Sequence, residues 1–147
     1  DPDQDATLES RSDIIPHTGL LKARLLCDGG YFKEAGEIMA SIDPVQLDEL
    51  AYRLEYHYRN GRILQLSGQV EKAVRELVSS FDQGKNAPYT YATRSALQLG
   101  RIYEKNMDYA KAALWYNRCI EVYSGTHTTE GVKEMAEKGV KRAKDKL

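Results

Sequence analysis

Three arginines, Arg24, Arg62 and Arg101, each follow a small residue (Ala23, Gly61 and Gly100) and stand 38 and then 39 positions apart. A guanidinium offers planar, paired N–H donors that match a carboxylate or a phosphate. A row of three at one repeat position could grip an acidic peptide segment or a terminal carboxylate. Arg94 and Lys105 would add charge to that row, and Tyr58 could stack or hydrogen-bond beside it. The competing reading is that the row is neutralised from within. Glu55, Asp28 and Glu104 lie on the same stretches, with Arg24–Asp28 four residues apart and Arg101–Glu104 three. Pairs of that kind are common on solvated helix faces and contribute little.

The other reactive side chains form no catalytic pattern. His17, His57 and His127 are scattered, without metal-ligand spacing and without a neighbouring cysteine. Asp48, Glu49 and Glu76 make no recognisable acid–base pair. Gly29-Gly30 reads as a turn, since no Lys-Ser/Thr comes after it as in a phosphate-binding loop. No G-x-S-x-G nucleophile motif occurs. The expectation is therefore no catalytic residue, no metal and no cofactor, with an enzyme as the weaker alternative. Cys27 and Cys119 suit neither a disulfide framework nor a metal set, and each reads as a small buried hydrophobe.

Net charge is −1, which argues against a nucleic-acid partner, because phosphate binding needs a clear excess of Lys and Arg. No stretch approaches the roughly 18 apolar residues of a membrane span. The first residue is Asp, so a processed or trimmed chain is expected, compatible with a removed signal peptide or with upstream repeats.

Behind the arginines lies a recurring framework. Gly30-Tyr31-Phe32-Lys33-Glu34-Ala35, Gly68-Gln69-Val70-Glu71-Lys72-Ala73 and Met107-Asp108-Tyr109-Ala110-Lys111-Ala112 repeat one pattern, and their closing alanines are 38 and 39 residues apart. Self-similarity at this period marks stacked units that commonly bind other proteins. Apolar residues keep helical spacing from Pro16 onward. They predict seven helices: α1 over about 16–28, α2 over 32–42, α3 over 44–66, α4 over 70–83, α5 over 87–105, α6 over 109–124 and α7 over 128–146. Asp43 before Pro44 is a good N-cap, and Asn86 stands similarly before Ala87-Pro88. Gly30 and Gly68 fall at helix stops, with Asn106 in that place in the third copy. No strand pattern occurs.

Antiparallel helices approach closely only where side chains are small. Gly61 with Ala73, and Gly100 with Ala112, are the expected contact points, flanked by Leu64 and Leu77, then by Tyr103 and Tyr116. In the first copy Ala23 and Ala35 take these places beside Leu26 and Met39. This arrangement resembles the tetratricopeptide repeat family, most closely at Leu99-Gly100, Tyr103, Asp108-Tyr109, Ala112, Tyr116 and Cys119. The family's early Trp is absent, with Gly19, His57 and Ala96 in its place, and the period exceeds the family's, about 34. An extra turn at the start of α3 and α5 would account for that excess.

The resemblance implies an all-α solenoid of three helix–turn–helix repeats, about 16–43, 44–86 and 87–127, stacked right-handedly, after an acidic flexible lead-in over 1–15. Residues 128–147 read as a capping helix, with one apolar stripe through Val132, Met135, Ala136, Val140, Ala143 and Leu147. The resemblance also puts Arg24, Arg62 and Arg101 on the inner, concave face of the first helices. It implies non-catalytic capture of a protein or peptide there. The alternative is the structural end of a longer array, or a domain that self-associates through the uncapped α1 end. Ten tyrosines against two phenylalanines fit either a contact surface or packing between repeats. Trp115 is expected to pack, turned away from Tyr116 and toward the capping helix.

Overall fold

The computed structural model describes residues 17–122 and 130–147. The expected lead-in, His127 and the end of the third repeat lie outside them. Among the described residues the protein is all-helical, with seven α-helices, one short 3-10 turn and no strand. Two compact units divide the chain, residues 1–80 and 81–147.

In the first unit α1 spans Thr18–Asp28, α2 Phe32–Ala40 and α3 Leu50–Leu66; α4, Val70–Gly84, begins in the first unit, and its last residues from Phe81 on belong to the second. His17 caps α1, its Nδ1 accepting from the Leu20 amide at 3.3 Å. The core gathers Leu20, Ala23 and Cys27 of α1, Ala35 and Met39 of α2, and Ile63 of α3. Burial of a large apolar side chain contributes about 1.5–3 kcal/mol. The start of α3 departs from expectation. Asp43 does cap, its Oδ1 accepting from the Val45 amide at 3.0 Å, but the element it starts is the 3-10 turn Pro44–Gln46. The chain then runs extended at Leu47, which is buried, and its carbonyl accepts from Arg53 Nη1 at 2.8 Å. Part of the long period therefore sits in connectors and not in an extra helical turn. The α3–α4 hairpin closes where Ser80 Oγ donates to the Leu54 carbonyl at 3.1 Å.

In the second unit α5 spans Tyr91–Lys105, α6 Tyr109–Glu121 and α7 Glu130–Asp145. Asn86 does not cap α5; the preceding residue is Thr90. Asp108 caps α6 by accepting from the Lys111 amide at 3.3 Å. Trp115 does not take its expected direction: its ring meets Phe81 edge-on at 5.1 Å, and the Arg118 guanidinium lies 4.5 Å over it.

One turn recurs in all three hairpins. Gly30 and Tyr31 donate to the carbonyls of Cys27 and Leu26, Gly68 and Gln69 to those of Gln65 and Leu64, and Met107 and Asp108 to those of Glu104 and Tyr103. Each pair closes a helix in the Schellman manner, around a left-handed residue. Gly30 and Gly68 hold φ of 84° and 80°, and the third such position is Met107 at 61°, not Asn106. A side chain in this region costs about 1–2 kcal/mol, and Met107 is 72% exposed, so it recovers little by packing. Met107→Gly is expected to raise stability by about 1 kcal/mol in chemical denaturation, whereas Gly30→Ala should lower it by a similar amount.

Candidate functional site

The small residues seat large ones. A Cβ at Gly61 would lie 2.7 Å from Leu77 Cγ, and one at Gly100 would lie 2.5 Å from Tyr116 Cδ1. The glycines therefore face Leu77 and Tyr116, one turn beyond the expected Ala73 and Ala112. Those alanines are fully buried, as are Ala23 and Ala35. Tyr116 is pressed from its other side by Gly139 of α7, where a Cβ would lie 2.6 Å from Cε2. The aromatic ring thus sits between α5 and α7, its Cδ1–Cε1 edge toward Gly100 and its Cδ2–Cε2 edge toward Gly139.

The buried ring carries its hydroxyl to the rim, where it donates to Glu104 Oε1 at 2.7 Å. Glu104 also receives a two-pronged ion pair from Arg142 of α7, with Nε to Oε2 at 2.9 Å and Nη2 to Oε1 at 3.0 Å. The hydrogen bond from Arg142 holds the Glu104 carboxyl below its usual range, and the Tyr116 hydroxyl assists. Burial, with acceptance by Glu104 as the second cause, raises the Tyr116 phenol well above its ordinary value. The same bond to Glu104 raises Arg142 further. Behind them, burial pushes the Cys119 thiol up to about 12, which leaves it protonated and unreactive.

Because the folded carboxyl is depressed, the stabilisation from Glu104 is present above its ordinary value of 4.5 and is lost as pH falls through the lower folded value. Glu104→Gln should therefore destabilise the protein at pH 7. The gap to wild type should shrink in melts taken below about pH 4.

The three arginines meet different fates. Arg24 is buried in the first unit, its Nη1 3.5 Å from Glu55 Oε2, with the two side chains only 5% and 2% exposed. It belongs to a buried ion pair with Glu55 and is not a residue of an open face. Arg62 donates to Gln65 Oε1 at 2.8 Å on its own helix and is half-buried. Arg101, in the second unit, is exposed, and its Nη2 donates to the Met135 thioether at 3.0 Å. Glu104, its expected partner, is taken by Arg142. Tyr58 is buried beside the Arg59 guanidinium, 5.5 Å from its ring centre, so it too is withdrawn from any surface. Arg94 is half-buried on α5, Lys105 is exposed at its end, and Tyr103 lies 5.4 Å beneath the Lys111 ammonium.

Arg101, Tyr116, Met135, Lys138 and Arg142 line one cleft of about 130 Å³. Met135, Lys138 and Arg142 belong to α7, which reads in sequence as a polar-faced cap, so their part is not foreseen from that reading. A signal is present all the same: Gly139 stands 39 positions after Gly100, as Gly100 does after Gly61. The small-residue series thus runs on into α7, and Glu104 and Arg142 are 38 apart, one period.

In the first unit, His57 Nδ1 lies 2.7 Å from Glu76 Oε2, tying α3 to α4. The Cys27 thiol, raised by burial and partly offset by Arg59, belongs to the core. Among the described residues no cluster of three potential metal ligands occurs. No described helix is long and apolar enough to cross a membrane. No family model, curated protein or solved structure matches the chain.

Proposed function

We propose that the chain is a non-catalytic helical-repeat module of the tetratricopeptide type that binds a peptide or protein partner. The observation that carries this reading is the recurrence, in register, of one hydrogen-bonded turn in all three hairpins. Frameworks built by repetition from such hairpins present extended surfaces and act by binding. Arg101 supports the same reading, because it stands exposed while its counterpart Arg24 is committed to the core.

The test is partner capture by the wild type against the Arg62→Ala, Arg101→Ala double variant. The expected result is an unchanged helical signal with the native partner lost. Recovery of the same partners by the variant would refute the role of the arginines. A second reading, self-association or service as the end of a longer array, is favoured by Leu25 and Tyr31, which are 61% and 60% exposed at the α1 end. Sedimentation of the isolated chain separates the two: a monomer fits the binding module. A tight dimer dissolved by Leu25→Ser supports the alternative.

A further inference from the structure

We infer that the groove between α2 and α3 binds an extended peptide segment, taking one apolar side chain that lies between an acidic and a basic neighbour, while Asn60 pairs with the peptide main chain. This rests on the binding-module reading and adds a site in the first unit with the chemistry of its ligand.

The groove holds about 620 Å³, within the roughly 300–1,000 Å³ of ligand sites. Phe32, Gly36 and Ala40 of α2 line it together with Asn60, Ile63 and Leu64 of α3. Two of these residues break the chain's own repeat. Asn60 stands before the small residue Gly61, and the same place before Gly100 is Leu99, which is fully buried. Gly36 stands after the closing alanine Ala35, where Val74 and Ala113 follow Ala73 and Ala112. Both departures meet in one groove, and neither serves internal packing. A Cβ at Gly36 would meet only Ile63 Cγ2, at 4.0 Å, so the glycine weakens its helix without making room for a neighbour. Asn60 is half-buried beside Ile63 and Leu64, and among the described residues its amide makes no side-chain hydrogen bond.

Together the two residues suit a peptide main chain. The missing side chain at Gly36 lets a backbone come close. A carboxamide carries a donor and an acceptor, which match the carbonyl and the N–H of one extended residue. Ile63 is buried and Phe32 half-buried, so a side chain that enters here meets apolar walls. The rim sets the neighbours. Lys33 and Glu37 are exposed one helical turn apart, and among the described residues neither enters an ion pair. A segment with one acidic and one basic residue beside its apolar one complements both charges.

The experiment is an NMR titration of the full, isotope-labelled chain with acetylated, amidated pentapeptides. Their central leucine lies between an aspartate and a lysine, in either order. At least one order should shift the Gly36 backbone amide and the Asn60 side-chain amide, and serine in place of the leucine should abolish the effect. Asn60→Leu and Gly36→Ala should each weaken binding about tenfold. Gly36→Ala should at the same time raise the melting temperature, which a purely structural role for the groove would not combine with lost binding. A peptide with N-methyl-leucine should bind wild type more weakly and be indifferent to Asn60→Leu. Silence from both peptide orders overturns the inference, as does equal binding by Asn60→Leu or an equal loss for parent and N-methyl peptides. In each case capture of the native partner by wild type against the double arginine variant still decides the binding-module reading on its own. A dimer in sedimentation that Gly36→Ala turns into a monomer would make the groove a contact between two copies and also overturn the inference.

Discussion

Arg24→Met should destabilise the protein by about 1–3 kcal/mol, the cost of removing the cation that faces a buried carboxylate. Arg24 and Glu55 are almost wholly withdrawn from water and lie 3.5 Å apart. Methionine keeps much of the volume, so the loss reports charge and not a cavity. What remains is a glutamate with 2% exposure and no Arg24. Replacing both partners with apolar residues, Arg24→Met with Glu55→Leu, should cost clearly less than the two single changes together, with a coupling above about 1 kcal/mol. Denaturant midpoints of the four proteins measure it. Additive losses would mean the pair is not a coupled unit. This separates Arg24 from Arg101: both stand after a small residue at one repeat position, yet one variant should lose stability and the other only a ligand.

Gly100→Ala should cost about 2–3 kcal/mol, and Gly139→Ala a similar amount, against the usual gain on moving from Gly to Ala in a helix. A methyl at either position would stand 2.5 or 2.6 Å from the Tyr116 ring, closer than real packing permits. The ring cannot step aside, because the other glycine stands against its opposite edge and Glu104 holds its hydroxyl. Gly131→Ala, also in α7, meets nothing within 4 Å and should stabilise by about 0.5–1 kcal/mol. Opposite signs in one helix would show that the effect is local overpacking. Tyr116→Leu should partly rescue Gly100→Ala, since it puts at the third repeat the residue that already faces Gly61 at the second.

These contrasts mark how far the sequence can be read. Helix number and order are legible because apolar spacing and the turn glycines are local signals. Gly30 and Gly68 are legible because a left-handed residue favours glycine. Met107 is not, since nothing in a methionine announces that conformation, and Asn106 looks the better candidate. The Asp43-Pro44 pair marks a cap in the sequence and in the structure alike. The element it opens differs from expectation, because a 3-10 turn and a helix start use the same chemistry, and the burial of Leu47 decides between them. The arginines stand out in sequence as a set, but their fates do not, because Glu55 on another helix claims Arg24 and α7 claims Glu104. Those are tertiary facts. The Gly139 offset is visible in sequence but hidden by the reading of α7 as a terminal cap.

The most direct measurement places a photo-crosslinking amino acid at position 135, beside Arg101, and another at position 31, on the exposed α1 end. Irradiation in native cell extract should give an adduct with a different protein from position 135, reduced by Arg101→Ala. Adducts between two copies of the chain from position 31, with none from position 135, would contradict the proposal that this protein is a module binding its partner on the face that exposes Arg101.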